Sequence, residues 1–184
     1  MGITYRTDEG EGAFYGPKID IHIEDCHQRR WQCGTIQVDS FQPKNFDVTY
    51  VAPSGQRERP VIIHSTIYGS LERFLGIVLE HYKGNLPFWL APVQATVMTI
   101  TDEQKPYAQQ VYAQLRAAGI RTELTASSDP LNAQIKEAQQ EKIPWMVIIG
   151  KREAAAGLVT LRHRDGTQEM GLTVDQLITK ATTL

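Results

Sequence analysis

Residues 19–24 alternate Ile-Asp-Ile-His-Ile-Glu, an apolar–polar period of two that predicts a half-buried β-strand. The polar stretch Asp25-Cys26-His27-Gln28 reads as a turn and residues 30–38 as a second strand, together an antiparallel hairpin. Residues 48–52, a Pro53-Ser54-Gly55 turn and residues 60–64 predict another strand pair. From Gly69 the period lengthens. Leu71, Phe74, Leu75, Val78, Leu79 and Tyr82 recur at spacings of three and four, one face of a helix. Gly84 suits the C-terminal cap of that helix, and Pro87 bars its continuation. Residues 84–92, with two prolines and Trp89, read as a short ordered connection.

Beyond the connection, strands and helices alternate. Residues 95–100 predict a strand, and residues 103–118 a helix with Pro106 in its first turn and Val111, Tyr112 and Leu115 on its apolar face. A strand over 121–125 follows. Asp129-Pro130 reads as the N-cap and first residue of a helix reaching about Glu141. The unbroken apolar run of residues 145–149 fits a central strand buried on both faces. Residues 158–164 predict a further strand, Asp165-Gly166 a turn, and Thr173 the cap of a last helix over 174–182. The β-α-β-α-β-β-α order predicts a small three-layer domain with a mixed sheet. The fold class expected is thus α/β, or α+β overall: an antiparallel sheet with its helix, then a three-layer α/β domain. The expected division is 1–86, a connection at 87–93, and 94–184.

Composition narrows the field without selecting a function. With 41% hydrophobic and 22% charged residues, the chain has the makings of a core and is not a disordered type. A formal charge of -2 gives no global attraction to nucleic acid, so RNA contacts would need a local patch such as Lys151, Arg152, Arg162 and Arg164. Such a cluster, taken alone, is more often solvated surface. Cys26 and Cys33 match neither a Cys-x-x-Cys clip nor a disulfide framework. The expected setting is the reducing cytoplasm, with no signal peptide and no apolar run of membrane-spanning length.

The chemistry sits in three runs: Phe14-Tyr15-Gly16-Pro17-Lys18-Ile19-Asp20, Gln32-Cys33-Gly34-Thr35-Ile36-Gln37, and Gly69-Ser70-Leu71-Glu72-Arg73. They resemble the threonyl-tRNA synthetase family of class II aminoacyl-tRNA synthetases, and the resemblance runs from about residue 1 to the C-terminus. It implies an end portion of the catalytic domain followed by an anticodon-binding domain. The activity implied is that of a threonine–tRNA ligase, which activates threonine with ATP and charges threonine tRNA. Class II motifs 1 and 2 are not in this sequence, so the chain alone is expected to be inactive.

By the same resemblance Arg73 ends the third class II motif and binds the terminal phosphate of ATP, as a guanidinium is suited to do. Ser70 supports it. Gln32 and Thr35 lie around the adenosine, Tyr15 and Gln37 near threonine, with Lys18 and Asp20 in supporting positions. His64 corresponds to one of three zinc ligands in the family, where the metal selects the threonine hydroxyl. Its two companions are absent, so this chain is expected to hold no zinc; ATP with Mg enters as substrate. Cys26, Cys33, His22 and His27 are not expected to assemble a metal site. Glu153 and Arg162 fall where the family reads anticodon bases. Lys136 stands where an arginine is usual, Ser128 where an asparagine is usual, and Ser65-Thr66 where the family continues Arg-Ala. The partners implied are threonine tRNA, ATP and threonine, with a homodimeric parent enzyme and no membrane.

Simpler readings stand beside these. Arg73 could pair with Glu72 or Glu80, His64 could be a satisfied rim side chain, and Glu153–Arg162 could be a surface ion pair. A tRNA-binding module without chemistry, a prolyl-type synthetase and an unrelated domain are the alternatives for the whole.

Overall fold

The computed structural model describes residues 4–125 and 129–183. They form two compact units, Met1–His81 and Tyr82–Leu184.

The first unit begins with β1 (Lys18–Glu24) and β2 (Arg30–Asp39), the antiparallel hairpin expected from the alternation. A short helix α1 (Phe41–Asn45) follows, then β3 (Tyr50–Val51), β4 (Arg57–Glu58), β5 (Ile62–Thr66) and helix α2 (Leu71–Tyr82). Strand β2 lies between β1 and β5, antiparallel to both. Lys18 stands opposite Gln37 and Asp20 opposite Thr35. On the other side Gln37 stands opposite His64 and Thr35 opposite Thr66. Because side chains alternate across a sheet, one face gathers these polar groups. The other carries Ile19, Ile21, Ile36, Val38 and Ile63, all exposed, with Ile63 at 66% and Ile19 at 63%.

Two expectations are corrected here. The strand pair over 48–52 and 60–64 does not form. Tyr50–Val51 pairs instead with Arg57–Glu58 in a two-residue ladder, and β5 pairs with β2. The register of that ladder runs toward Pro60, which lacks an N–H to donate and ends it. The second correction concerns α2. Leu71 and Leu75 of the expected apolar face are 68% and 50% exposed, and the buried residue is Ile77. Phe74 and Val78 of the expected face are half-buried beside Ile77, while Arg73 and Glu80, both exposed, tie the helix to the hairpin through the Gln32 carbonyl and Arg29.

The second unit opens with a 3-10 turn at Phe88–Leu90 and proceeds through β6 (Ala95–Thr99), a 3-10 turn at Asp102–Gln104, α3 (Lys105–Ala117) and β7 (Thr122–Leu124). Then come α4 (Leu131–Gln140), β8 (Trp145–Ile149), α5 (Lys151–Ala156), β9 (Val159–His163), β10 (Gln168–Leu172) and α6 (Val174–Thr182). The sheet order is β10-β9-β8-β6-β7, with β6 parallel to β7 and β8, and β9 antiparallel to β8 and β10. Alternation divides the buried strand residues between two apolar clusters. Val97, Trp145, Val147 and Ile149 join Val111 and Leu115 of α3 and Leu177 of α6, while Met98 and Met146 join Ala138 of α4. Helices on both faces make the three layers. Phe88, from the stretch read as a connection, belongs to the first cluster and packs against Trp145, the ring centroids 4.3 Å apart and the planes tilted by 41°.

The structure adds α5 and β10 to the expected order. It also moves the start of α4: Pro130 is the N-cap, extended at ψ 143, and the helix begins at Leu131 rather than at Pro130. The expected single helix over 103–118 is a 3-10 turn running into α3, its start capped by Gln104, whose Oε1 accepts from the Thr101 N–H at 3.1 Å.

Candidate functional site

The polar face of the β1-β2-β5 sheet brings together Tyr15, Lys18, Asp20, Gln32, Thr35, Gln37 and His64. Two glycines allow it. A Cβ on Gly16 would lie 2.0 Å from the Val38 carbonyl oxygen, so only glycine lets the chain carrying Tyr15 approach β2. Gly69, at φ +70, would set a Cβ 2.8 Å from the Cys33 carbonyl oxygen, which holds the entry to α2 against the same strand.

Asp20 is the hub of the face. Its Oδ1 accepts from Gln32 Nε2 at 2.7 Å and Thr35 Oγ1 at 2.9 Å, and its Oδ2 pairs with Lys18 Nζ at 2.9 Å. The Lys18 bond above all holds the Asp20 carboxyl below its ordinary range, and the same bond raises Lys18. The Tyr15 hydroxyl donates to Gln37 Oε1, and Gln37 Nε2 reaches Thr35 Oγ1 at 3.4 Å. These side chains are therefore oriented before any ligand arrives.

His64 Nε2 lies 2.9 Å from Asp39 Oδ2, and the Tyr15 ring stands edge-on to the imidazole at 5.9 Å. Asp39 is fully buried and accepts at Oδ1 from the backbone N–H groups of Phe41 and Gln42, capping α1 from one residue outside its N-cap. Burial pushes the Asp39 carboxyl up, but the Gln42, His64 and Phe41 hydrogen bonds outweigh it and hold the group below its ordinary value. With Asp39 accepting at Nε2–H, Nδ1 is the ring nitrogen left for a ligand. Among the described residues, the one cluster of three or more potential metal-ligating groups lies elsewhere, at Cys26, His27 and Glu80. The residues present around His64 do not make a metal centre by themselves.

Arg73 pairs with neither Glu72 nor Glu80. Glu72 accepts from Ser70 Oγ at 2.7 Å, and Glu80 pairs with Arg29. Ser70 Oγ also accepts from the Arg73 N–H at 3.3 Å, capping the first turn of α2. The Arg73 guanidinium donates from Nη1 to the Gln32 carbonyl at 3.0 Å and lies 5.8 Å over the Trp31 ring. That anchors the side chain through one N–H and leaves other donors of the guanidinium for an anion. Trp31 and Asp39 were not among the residues singled out from sequence. Asp39-Ser40 before Phe41 is a helix-capping pattern that could have marked the second.

In the second unit, the Glu153 and Arg162 ion pair does not form. Glu153 Oε2 accepts from the Gly150 N–H at 3.2 Å and Oε1 from the Thr160 hydroxyl at 3.1 Å, so this carboxylate closes the start of α5. Arg162 lies on the same face of β9 as Thr160, and its Nε is buried without a partner among the described residues. Lys136 is exposed on α4. Ser128 lies outside the described residues. Glu153 lines a cleft of about 440 Å³ together with Ile100, Thr101, Gly150 and Arg152. Neither Arg162 nor Lys136 lines it.

The comparisons with known proteins now bear on this geometry. Residues 2–82 match the tRNA synthetase class II core domain (G, H, P, S and T), and residues 94–184 match the anticodon binding domain. The chain belongs to the class II aminoacyl-tRNA synthetases. Within that class its homologues are threonine–tRNA ligases. It is 50% identical over 178 residues to the threonine–tRNA ligase of a Geobacter species, covering 97% of this chain and 28% of the relative. The structure is similar to the RNA binding domain of threonyl-tRNA synthetase from Cryptosporidium parvum, with TM-score 0.84 and 45% identity over 95% of this chain and 44% of that one. Prolyl-tRNA synthetase from the same organism has TM-score 0.70 at 22% identity, covering 96% of this chain and 40% of that one, a likeness of fold alone. The chain thus spans under a third of the length of the curated relatives it matches. Among the described residues, no helix is long and apolar enough to cross a membrane.

Proposed function

We propose that this chain supplies part of the threonine- and ATP-binding surface, together with the anticodon-binding domain, of a threonine–tRNA ligase. The observation that carries the reading is the preoriented polar sheet face, from Tyr15 to His64, with Arg73 anchored beside Gln32. In this reading Arg73 contacts the terminal phosphate of ATP, which enters with magnesium. Gln32 and Thr35 hold the adenosine, and Tyr15 and Gln37 the threonine. Lys18 and Asp20 keep that face in register, and Ser70 caps the helix that presents Arg73. The nucleotide and threonine are bound by orientation and charge neutralisation.

His64 would be one ligand of a zinc ion that coordinates the threonine hydroxyl. Two more ligands from outside this chain would be needed, so the 184 residues alone hold no zinc there. The exposed stripe of Ile19, Ile21, Ile36, Val38 and Ile63 supports a sheet that is covered by further polypeptide in the whole enzyme. On that ground the chain alone catalyses neither threonine-dependent pyrophosphate exchange nor aminoacylation. The parent enzyme is a cytoplasmic homodimer in the same reading.

Glu153, Arg162, Lys136 and Ser128 form the anticodon contacts. The orphaned Arg162 Nε supports a base-reading role, since a buried donor without a partner is costly unless something arrives to accept from it. Equilibrium binding of the purified chain to threonine tRNA, and to the same tRNA with altered anticodon bases, tests this at one fixed salt concentration. Binding that is selective and is lost in Arg162→Ala is the expected result. Binding indifferent to the anticodon would overturn the assignment of the second unit.

A further inference from the structure

The turn between β1 and β2 is held by one buried carboxylate. Asp25 accepts at Oδ1 from the backbone N–H of His27 at 2.8 Å and of Arg29 at 2.9 Å. At Oδ2 it accepts from Arg29 Nε at 2.6 Å and from Trp31 Nε1 at 2.8 Å. Burial works against the ionised form, yet the bonds from Trp31, Arg29 and His27 keep the carboxyl far below the ordinary range. A turn fixed in this way presents Cys26 and His27 outward at set positions. Helix α2 brings Glu80 to the same place, more than fifty residues later in the chain. The ligand atoms of Cys26, His27 and Glu80 all lie within 4.8 Å of one another.

We propose that Cys26, His27 and Glu80 bind a single divalent ion of borderline softness, with zinc the first choice, in a site separate from His64. A thiolate, an imidazole and a carboxylate are the three donor types that zinc accepts. Metal–ligand bonds of about 2.0–2.3 Å set tetrahedral ligands roughly 3.3–3.8 Å apart. The present spread needs a contraction of about 1 Å, which exposed side chains reach by rotation. Three protein ligands leave a fourth position for water, which the exposed setting supplies. Softer thiolate coordination disfavours magnesium and calcium, which prefer oxygen donors alone.

Arg29 is the built-in competitor, because its guanidinium already pairs with Glu80. An ion at the site must draw Glu80 away from that pair, and Arg29 keeps its bond to Asp25. The ion would then replace one tie between the turn and α2 with another. Arg73 lies seven residues before Glu80 on the same helical stripe, so this tie fixes the far end of the element that presents Arg73.

The experiment uses the purified 184-residue chain, stripped with a chelator and titrated first with cobalt, then with zinc as competitor. The expected result is one equivalent of cobalt bound with a thiolate-to-metal charge-transfer band that zinc abolishes. Cys26→Ser removes the band. His27→Ala and Glu80→Gln each weaken binding about tenfold or more. Arg29→Ala strengthens it, while His64→Ala leaves it unchanged. Cys26, His27, Arg29 and Glu80 are exposed and His64 is half-buried, and circular dichroism confirms that each variant keeps its fold. The proposal fails if no band appears, if the band persists unweakened in both His27→Ala and Glu80→Gln, or if it is lost in His64→Ala.

Discussion

His64 on β5 and Asp39 on β2 are diagonal neighbours on one face of the sheet, joined Nε2 to Oδ2 at 2.9 Å. Asp39 thereby serves two structures at once: it caps α1 and it selects the tautomer of His64 that leaves Nδ1 free. In nitrogen-15 NMR, neutral His64 is expected as the Nε2–H tautomer. Asp39→Ala should release both tautomers and lower the melting temperature, since two helix-start N–H groups lose their acceptor. An Nδ1–H tautomer in the unsubstituted chain would refute the relationship.

The two crowded glycines give a graded prediction. Gly16→Ala places a Cβ 2.0 Å from the Val38 carbonyl oxygen and Gly69→Ala one 2.8 Å from that of Cys33. Each should cost about 1–3 kcal/mol in denaturant unfolding, because backbone must shift to make room. Gly119→Ala, at φ +82 with nothing within 4 Å, meets only the left-handed backbone penalty and should cost about 1 kcal/mol. Equal effects at all three positions would show that the close approaches do not matter.

Arg73 and Asp20 should separate function from support. Arg73 is exposed and anchored by one bond to Gln32, so Arg73→Ala should leave the melting temperature unchanged and abolish nucleotide binding wherever the whole enzyme shows it. Asp20→Ala removes the partner of Lys18, Gln32 and Thr35 and should lower both stability and binding. Thermal shift with and without ATP reads the two effects side by side.

The boundary of the second unit is open to a direct test. Phe88 packs in its core, the Phe88 carbonyl accepts from Gln94 Nε2 at 2.9 Å, and Arg121 bonds the carbonyls of Trp89 and Ala91. A chain starting at Leu86 should fold independently and be more stable than one starting at Pro92 by about 3–5 kcal/mol, the usual loss for a large aromatic core residue. Equal melting of the two would show that the 3-10 turn is dispensable.

Glu169 of β10 should contribute to the acid sensitivity of the second unit. His163 first, then Lys180 of α6, hold its carboxyl below the ordinary 4.5. A depressed carboxyl stabilises the fold at pH values above its unfolded value. That contribution falls away as pH drops below 4.5 and through the folded value. Glu169→Gln should therefore lower stability at neutral pH and flatten its dependence on pH below about 4.5. Melting curves between pH 3 and pH 7 distinguish this from a mere loss of packing, which would shift all pH values alike.

The strands at residues 19–24 and 145–149 were legible without coordinates. The first shows in its period of two, although its isoleucines Ile19 and Ile21 are exposed, and the second in an unbroken apolar run that is buried throughout. The family motifs were legible too, since they name residues that must meet. Other elements left no such trace. The strand β10, Gln-Glu-Met-Gly-Leu, lies at a sheet edge where solvent tolerates polar residues, so its backbone pairing with β9 defines it rather than its pattern. The six residues of α5 are too few for a helical period, and Glu153 makes it by closing its first turn.

Sequence by itself determined the classes of element, the division into an antiparallel sheet and a β/α domain, and the residues that resemble a ligase site. Tertiary structure alone decided which strand β5 would join, that Ile77 would be the buried residue of α2, and that Asp20 and Asp39 would organise the polar face. The physical reason is that hydrophobic periodicity reports which side of an element is apolar. Partner choice depends on hydrogen bonds and close backbone approaches between segments far apart in the chain, and these leave no local period to read.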